Sequence, residues 1–182
     1  MIRSLRDEAL LLLEGRGAIL STAREVTEAL AASGFDCAVV GGVATVLHGH
    51  VRSTSDVDVF LAERDEGVRE ALERAGFEFD EEQREFRKGP VPVHLVFPEQ
   101  LSTVPTHFVQ ISGVRCVDLP DLVTMKLELG TTDPLRAQDI ADVIGLIRAN
   151  RLTGEFAAKI AKSVRSEFRK LAKAIAQRDS NP

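Results

Sequence analysis

The chain predicts an α+β fold, a mixed sheet backed by helices with a helical C-terminal portion, and three observations carry that expectation. Short apolar runs, among them VDVFL and VPVHLVF, alternate with segments of helical period. Turn signals at Gly41-Gly42, Gly89-Pro90 and Ser112-Gly113 punctuate the first two thirds. From Pro120 onward the pattern is helical. With 182 residues, 44% hydrophobic, the chain can bury one good core plus a helical extension. We therefore divide it into an α/β core with an N-terminal helix, residues 1–118, and a helical portion packed on it, residues 119–182.

An amphipathic helix from about Ser21 to Ser33 stops at Gly34, a position suited to a left-handed C-cap. A buried strand follows and ends at Val39-Val40. Gly41-Gly42 then permit a sharp turn and close approach by a ligand, with a short helix from Val43 to about His48. A second strand begins near Asp56, an acidic helix runs roughly from Asp65 to Arg74, and a polar turn leads to Phe86. Glu85 to Lys88 and Val91 to Phe97 form a hairpin about Gly89-Pro90. FVQI and VRCV flank a two-residue turn at Ser112-Gly113. Pro120 opens a helix ending near Gly130, and Pro134 precedes the next. Phe156, Ile160, Val164, Phe168, Leu171 and Ile175 then recur at three or four residues, which predicts a C-terminal helix.

Charge is unevenly spread about a net of −5. Glu63 to Glu85 holds ten acidic and four basic residues, whereas Glu155 to Arg178 holds seven basic and two acidic. A basic helix of this kind either touches RNA or a partner or simply keeps its charges in water, and solvated charge runs are the commoner case. Cys37 and Cys116 lie in apolar segments and are expected as free buried thiols, which makes a reducing, cytoplasmic setting the default. The Leu10 to Leu13 run is too short to span a membrane, and the acidic Asp7 and Glu8 before it are unlike the basic start of a signal peptide.

The stretch VVGGVATVLHGHVRSTSDVDVFL carries the chemistry. In Asp56-Val57-Asp58-Val59 the carboxylates alternate with aliphatic residues, so both point to one face, about 6.5 to 7 Å apart along the strand. Paired carboxylates suit magnesium, which takes oxygen ligands and commonly binds through one or two carboxylates plus substrate phosphates. Arg52 offers a donor fork to phosphate and Thr54 a hydroxyl, while the backbone N–H groups after Gly41 and Gly42 can seat phosphate at a helix start. Other phosphate motifs fail, since neither Gly-x-Gly-x-x-Gly nor the Lys-Ser/Thr of a P-loop is present here. His48 and His50 have no cysteines nearby, so a zinc site has no support.

Gly41-Gly42, Ala44, His48-Gly49, Arg52, Thr54, Asp56 and Asp58 together resemble the first motif of the nucleotidyltransferases with a DNA polymerase β-like palm. The likeness is greatest to the small bacterial branch that includes AbiEii-type toxins of toxin–antitoxin pairs. A downstream segment, DLPDLVTMKLELG followed by RAQDIADVIGLI, resembles the family's second region and supplies Lys126, Arg136, Asp139 and Asp142. The resemblance implies a polymerase β-like fold and transfer of NMP from an NTP to an acceptor hydroxyl with release of pyrophosphate. It further implies Mg2+ or Mn2+ on Asp56 and Asp58, Lys126 facing the nucleotide, and Asp139 completing or bracing the site. The acceptor is left open among tRNA, a protein and a small molecule.

The chain departs from that pattern in one strand. Many relatives carry a third metal-binding carboxylate there, whereas VPVHLVF has His94. Three outcomes follow: metal binding with fewer carboxylates and His94 as a further candidate ligand, substitution by a downstream aspartate, or a catalytically weakened site. The last would make the chain a nucleotide-binding or antitoxin-like protein that kept the fold.

Overall fold

The structure, a computed structural model, describes residues 17–179. The Leu10 to Leu13 run lies outside the described residues.

A seven-stranded mixed sheet organises the chain. Helix α1 (Ala18–Ala32) buries Ile19, Leu20, Ala23, Val26 and Leu30 along one face, and Gly34 leaves it with a φ of +88°. Strand β1 (Cys37–Val40) is buried along its whole length. It lies between antiparallel β2 (Val57–Leu61) and parallel β7 (Val114–Val117), which is why CAVV reads as a continuous apolar run. Between β1 and β2 lies the short helix α2 (Gly41–Leu47).

Beyond β2 come α3 (Gly67–Arg74), β3 (Glu78–Asp80), β4 (Glu85–Arg87) and β5 (Pro92–Val96). β5 runs parallel to β2, and β4 and β3 continue the sheet by antiparallel pairing, so one wing is ordered β3-β4-β5-β2. On the other wing β7 pairs with β6 (Phe108–Ile111) across a turn whose Ser112 and Gly113 both have positive φ, 52° and 76°. Two successive positive-φ residues give the twist a two-residue hairpin needs. Arg24 of α1 donates to the Ser112 carbonyl and ties this turn to the first helix.

Helix α4 (Leu119–Thr132) starts where the Asp118 carboxylate accepts from the Asp121 N–H, with Pro120 in its first turn. Helix α5 (Ala137–Ala149) packs along α4, and Gly130 permits the contact because a side chain there would press on Ile140. Helix α6 (Arg165–Asp179) closes the described chain on the buried ring of Phe168. No helix among the described residues is long and apolar enough to cross a membrane.

Four details differ from the sequence reading. α2 begins at Gly41, two residues before Val43, since glycine alone fits where its first turn meets Asp58, Thr54 and Arg52. β2 starts at Val57, leaving Asp56 just outside it. The polar segment before Phe86 contains β3, paired to β4. The C-terminal helix begins only at Arg165, since residues 154–159 and 162–164 form 3-10 turns separated by extended backbone at Ile160 and Ala161. There the Ala161 N–H reaches the Thr124 hydroxyl of α4, and Arg165 donates to the carbonyls of Ile160 and Ala158.

Candidate active site

Strand register assembles the first half of the site. Asp58 on β2 pairs with His94 on β5, and one further step of the β4–β5 register sets Glu85 opposite His94. Asp56, two residues before Asp58, shares its direction. Ligand atoms of Asp56, Asp58 and His94 lie within 4.8 Å of one another, and these residues form the one metal-capable cluster among the described residues.

His94 Nδ1 is 3.4 Å from Asp56 Oδ2 and 3.5 Å from Asp58 Oδ1, while its Nε2 is 3.0 Å from Glu85 Oε2. The side chains of Asp56, Asp58 and His94 are between 27% and 38% exposed, whereas that of Glu85 is 8% exposed. Such surroundings favour the imidazolium, and the His94 pKa rises to about 9. The Asp58 carboxylate raises it most, partial burial opposes the rise, and Glu85 and Asp56 add to it. Thr54, itself buried, donates its hydroxyl to Asp56 Oδ1 at 3.2 Å.

Both glycines of the motif are required by packing. Gly41 has a φ of +63°, and a methyl group there would collide with the Asp58 carboxylate. One on Gly42 would strike the Thr54 hydroxyl and the Arg52 guanidinium. The first turn of α2 therefore lies against Asp58, Thr54 and Arg52, and its leading N–H groups have no side-chain cap.

The second half is buried. Lys126 Nζ on α4 lies 2.8 Å from Asp139 Oδ1 and 2.6 Å from Asp142 Oδ2, both on α5. Asp142, fully buried, also takes Arg52 Nε at 2.9 Å and the Gln138 amide at 2.9 Å. Arg136 donates to Asp139 Oδ2 at 2.7 Å. Burial alone would push the Asp139 carboxyl up, but Lys126 and Arg136 outweigh it and hold the group below the usual carboxylate range. Arg52, expected to present its fork to phosphate, has Nε on Asp142 and Nη1 on the Ser53 carbonyl at 2.7 Å. His50 fits against Gly145, where any side chain would displace its ring.

Two clefts flank the junction. The smaller, about 240 Å3, is lined by Gly41, Asp58, Lys126, Arg136 and Asp139 among others. The larger, about 610 Å3, is lined by His94 with Arg64, Arg69, Arg84, Phe79 and Phe86 among others. The structure thus brings Gly41, Gly42, Arg52, Thr54, Asp56, Asp58 and His94 together, with Lys126 and Asp139 across the smaller cleft. Sequence reasoning missed Glu85 and its partner Arg87, whose guanidinium bonds Glu85 Oε1 through Nε at 2.6 Å. The available signal was the Glu85-Phe86-Arg87 alternation in the hairpin strand facing His94.

Fold comparison places the molecule among nucleotidyltransferase folds. It is similar to an antigenic nucleotidyltransferase-like protein from Paracoccidioides brasiliensis, with 19% identity and a TM-score of 0.54 over 85% of this chain and 91% of that one. It is also similar to the antibiotic-resistance factor ANT(2'')-Ia, with 15% identity and a TM-score of 0.56 over 89% of this chain and 97% of that one. The chain belongs to the family described as nucleotidyltransferase of unknown function (DUF6036), whose model matches residues 18–175. No curated protein matches it in sequence.

Proposed function

We propose that the protein transfers NMP from an NTP to an acceptor hydroxyl, releasing pyrophosphate, with Mg2+ or Mn2+ held by Asp56, Asp58 and His94. One observation carries this reading. Two half-open carboxylates and an imidazole converge on a shared point beside the first turn of α2, and that donor set fits a divalent cation. When bound, the cation would neutralise phosphate charge and lower the pKa of the attacking hydroxyl.

The chain's own residues then divide the work. Gly41 and Gly42 present backbone N–H groups to phosphate, with Arg52 beside them held in place by Asp142. Thr54 holds Asp56 in position. Lys126 donates to Asp139 and is ion-paired with Asp142, and its charge lines the smaller cleft in which the triphosphate sits. Asp139 orients Lys126. The acceptor enters from the larger cleft on the His94 side, and its hydroxyl oxygen bonds the α-phosphorus as the bond to the β-phosphate breaks, with pyrophosphate leaving and the hydroxyl proton passing to solvent.

We read residues 1–118 as the core that holds the cation and 119–182 as the helical portion that packs on it and contributes Lys126 and Asp139 to the site. Free, buried Cys37 and Cys116 suit a cytoplasmic setting. The AbiEii likeness makes one half of a toxin–antitoxin pair a reasonable context.

The test is incubation with each labelled NTP, Mg2+ or Mn2+, and a panel of tRNA, protein and aminoglycoside acceptors. Label should enter one acceptor class and be lost with Asp56→Asn. NTP binding without turnover at either metal would instead make this a nucleotide-binding protein that kept the fold.

A further inference from the structure

We infer that Glu85 is a positioning residue that fixes the tautomer of His94 and tunes the site toward divalent ions that accept nitrogen, manganese ahead of magnesium. The inference rests on the metal-site reading above.

Glu85 is nearly buried on β4, and its two oxygens are divided between two tasks. Oε1 takes the Arg87 guanidinium through Nε at 2.6 Å and Nη2 at 2.5 Å, and Oε2 lies 3.0 Å from His94 Nε2. A carboxylate only accepts, so the ring proton facing it must be on Nε2. Nδ1 is directed at Asp56 and Asp58, at 3.4 Å and 3.5 Å; it carries the second proton of the imidazolium in the metal-free protein, and a cation held there would take that proton's place. A carboxylate behind a histidine is the arrangement that orients a metal-binding imidazole and raises its basicity. An ion pair with Arg87 alone would not require Glu85 Oε2 to meet the imidazole.

The chemistry of the donors then sets the preference. Magnesium is hard, dehydrates reluctantly and favours oxygen; imidazole suits Fe2+, Ni2+ and Zn2+ best, and Mn2+, the first ion of that series, shares magnesium's preference for carboxylate but admits a nitrogen ligand more readily. Two aspartates with one oriented nitrogen therefore form a site that accepts magnesium poorly and manganese well. Strand register makes this a property of the fold, because Asp58, His94 and Glu85 stand in one row across β2, β5 and β4.

The test is Mn2+ titration of the full chain followed by electron paramagnetic resonance, with Mg2+ as competitor. Wild type should bind Mn2+ at least about tenfold more tightly than Mg2+. Glu85→Gln should weaken Mn2+ binding by about 10-fold or more, the usual cost of losing such a partner, with little effect on Mg2+. His94→Asp should reverse the preference. In a His94→Gln background, Glu85→Gln should cost nothing further, because the interaction is already gone. In the Zn2+-loaded protein, 15N shifts should show His94 protonated at Nε2 and bound through Nδ1. Equal Mn2+ and Mg2+ affinities in wild type, or the same Glu85→Gln cost in both backgrounds, would overturn the inference. Should the Mn2+ preference and the cycle hold while no acceptor is labelled, the transfer reading falls and the Glu85 role stands. Labelling of an acceptor alongside equal Mn2+ and Mg2+ affinities would leave the transfer reading standing and remove the Glu85 role.

Discussion

The half-open cluster around Asp56, Asp58 and His94 and the buried cluster around Lys126, Asp139 and Asp142 use similar residue types in opposite ways. In the buried cluster two carboxylates meet Lys126, Arg52 and Arg136 at 2.6–2.9 Å, so their charge is more than matched within the chain. In the open cluster three carboxylates share one imidazole and Arg87. Charge matched in the interior holds elements together: Asp142 joins α4 and α5 to the loop that carries Arg52. Unmatched negative charge at a half-open sheet face draws a cation from outside. Exposure and charge balance separate the two roles although both clusters lie in the family's motif regions.

The most severe way to break this contrast is to remove charge from each side. Asp56→Asn or Asp58→Asn should lower transfer by about a thousandfold, roughly 4 kcal/mol of transition-state stabilisation, with the melting temperature little changed. Steady-state transfer and thermal unfolding measured on the same preparations check this. Full activity in both variants would refute the open cluster's role, and unfolding in either would make its carboxylates structural. Asp142→Ala should act the other way. By removing the only carboxylate paired with Arg52 among the described residues, and one of the two paired with Lys126, it should cost up to about 3 kcal/mol of folding stability, read from urea unfolding.

Lys126→Ala sharpens the contrast, because Lys126 belongs to the buried cluster and also lines the smaller cleft. If its ammonium also meets the distal phosphates, ATP affinity should fall by about tenfold, roughly 1.4 kcal/mol, while AMP affinity falls less. Calorimetric titration with both nucleotides distinguishes this from pure bracing, which would weaken both equally.

How far these clusters are legible in the sequence follows from what each depends on. The Asp56/Asp58 pair is a period-two pattern within one strand, and the Gly41-Gly42 turn is local, so both can be read directly. Glu85 acts on His94 through pairing between strands, a relation set by the Gly89-Pro90 hairpin register that the chain's linear order does not display. β3 is hidden because Glu78-Phe79-Asp80 lies in an acidic run with a single apolar residue. The start of α6 is masked because 3-10 turns repeat every three residues, close enough to 3.6 that Phe156, Ile160 and Val164 keep helical spacing without a helix. The commitments of Arg52 and Lys126 to Asp142 require the tertiary fold, since residues 52, 126 and 142 are far apart in the chain.

The two clusters should also fail at opposite ends of the pH range. His94 has its folded pKa raised to about 9, from an ordinary value near 6.5. Its contribution to the metal-free protein is therefore complete below about 6.5 and is lost as pH rises through about 9. Since the ring is more than a third open to water, solvent screening makes that loss smaller than the shift alone would imply. Asp139 has its pKa lowered, so its contribution is present above about 3.9 and is lost as pH falls through the depressed value. Unfolding curves in chelator across this range should show His94→Gln flattening the alkaline limb alone and Asp139→Asn the acid limb alone. A change in the same limb for both variants would mean that the clusters are coupled.

The smallest effect is expected where charge is neither matched in the interior nor gathered at a site. On and beside α6, Lys162 and Arg169 are exposed, whereas Arg165 is bonded to the carbonyls of Ile160 and Ala158 and must be left intact in any test of surface charge. Reversal to glutamate at Lys162 and Arg169 should change stability by no more than about 0.5 kcal/mol, because neither side chain is committed to the fold. Retention of tRNA at low salt should be equally indifferent if these charges serve only solvation. Were the helix a phosphate-binding surface, affinity would fall steeply with salt, and removing two contacts would reduce that logarithmic slope by about 1.4 for single-stranded RNA. A salt series on wild type and the double variant decides between them. Such a slope change would add a third kind of charge to the molecule, one that recruits the acceptor at a distance from the carboxylates that act on it.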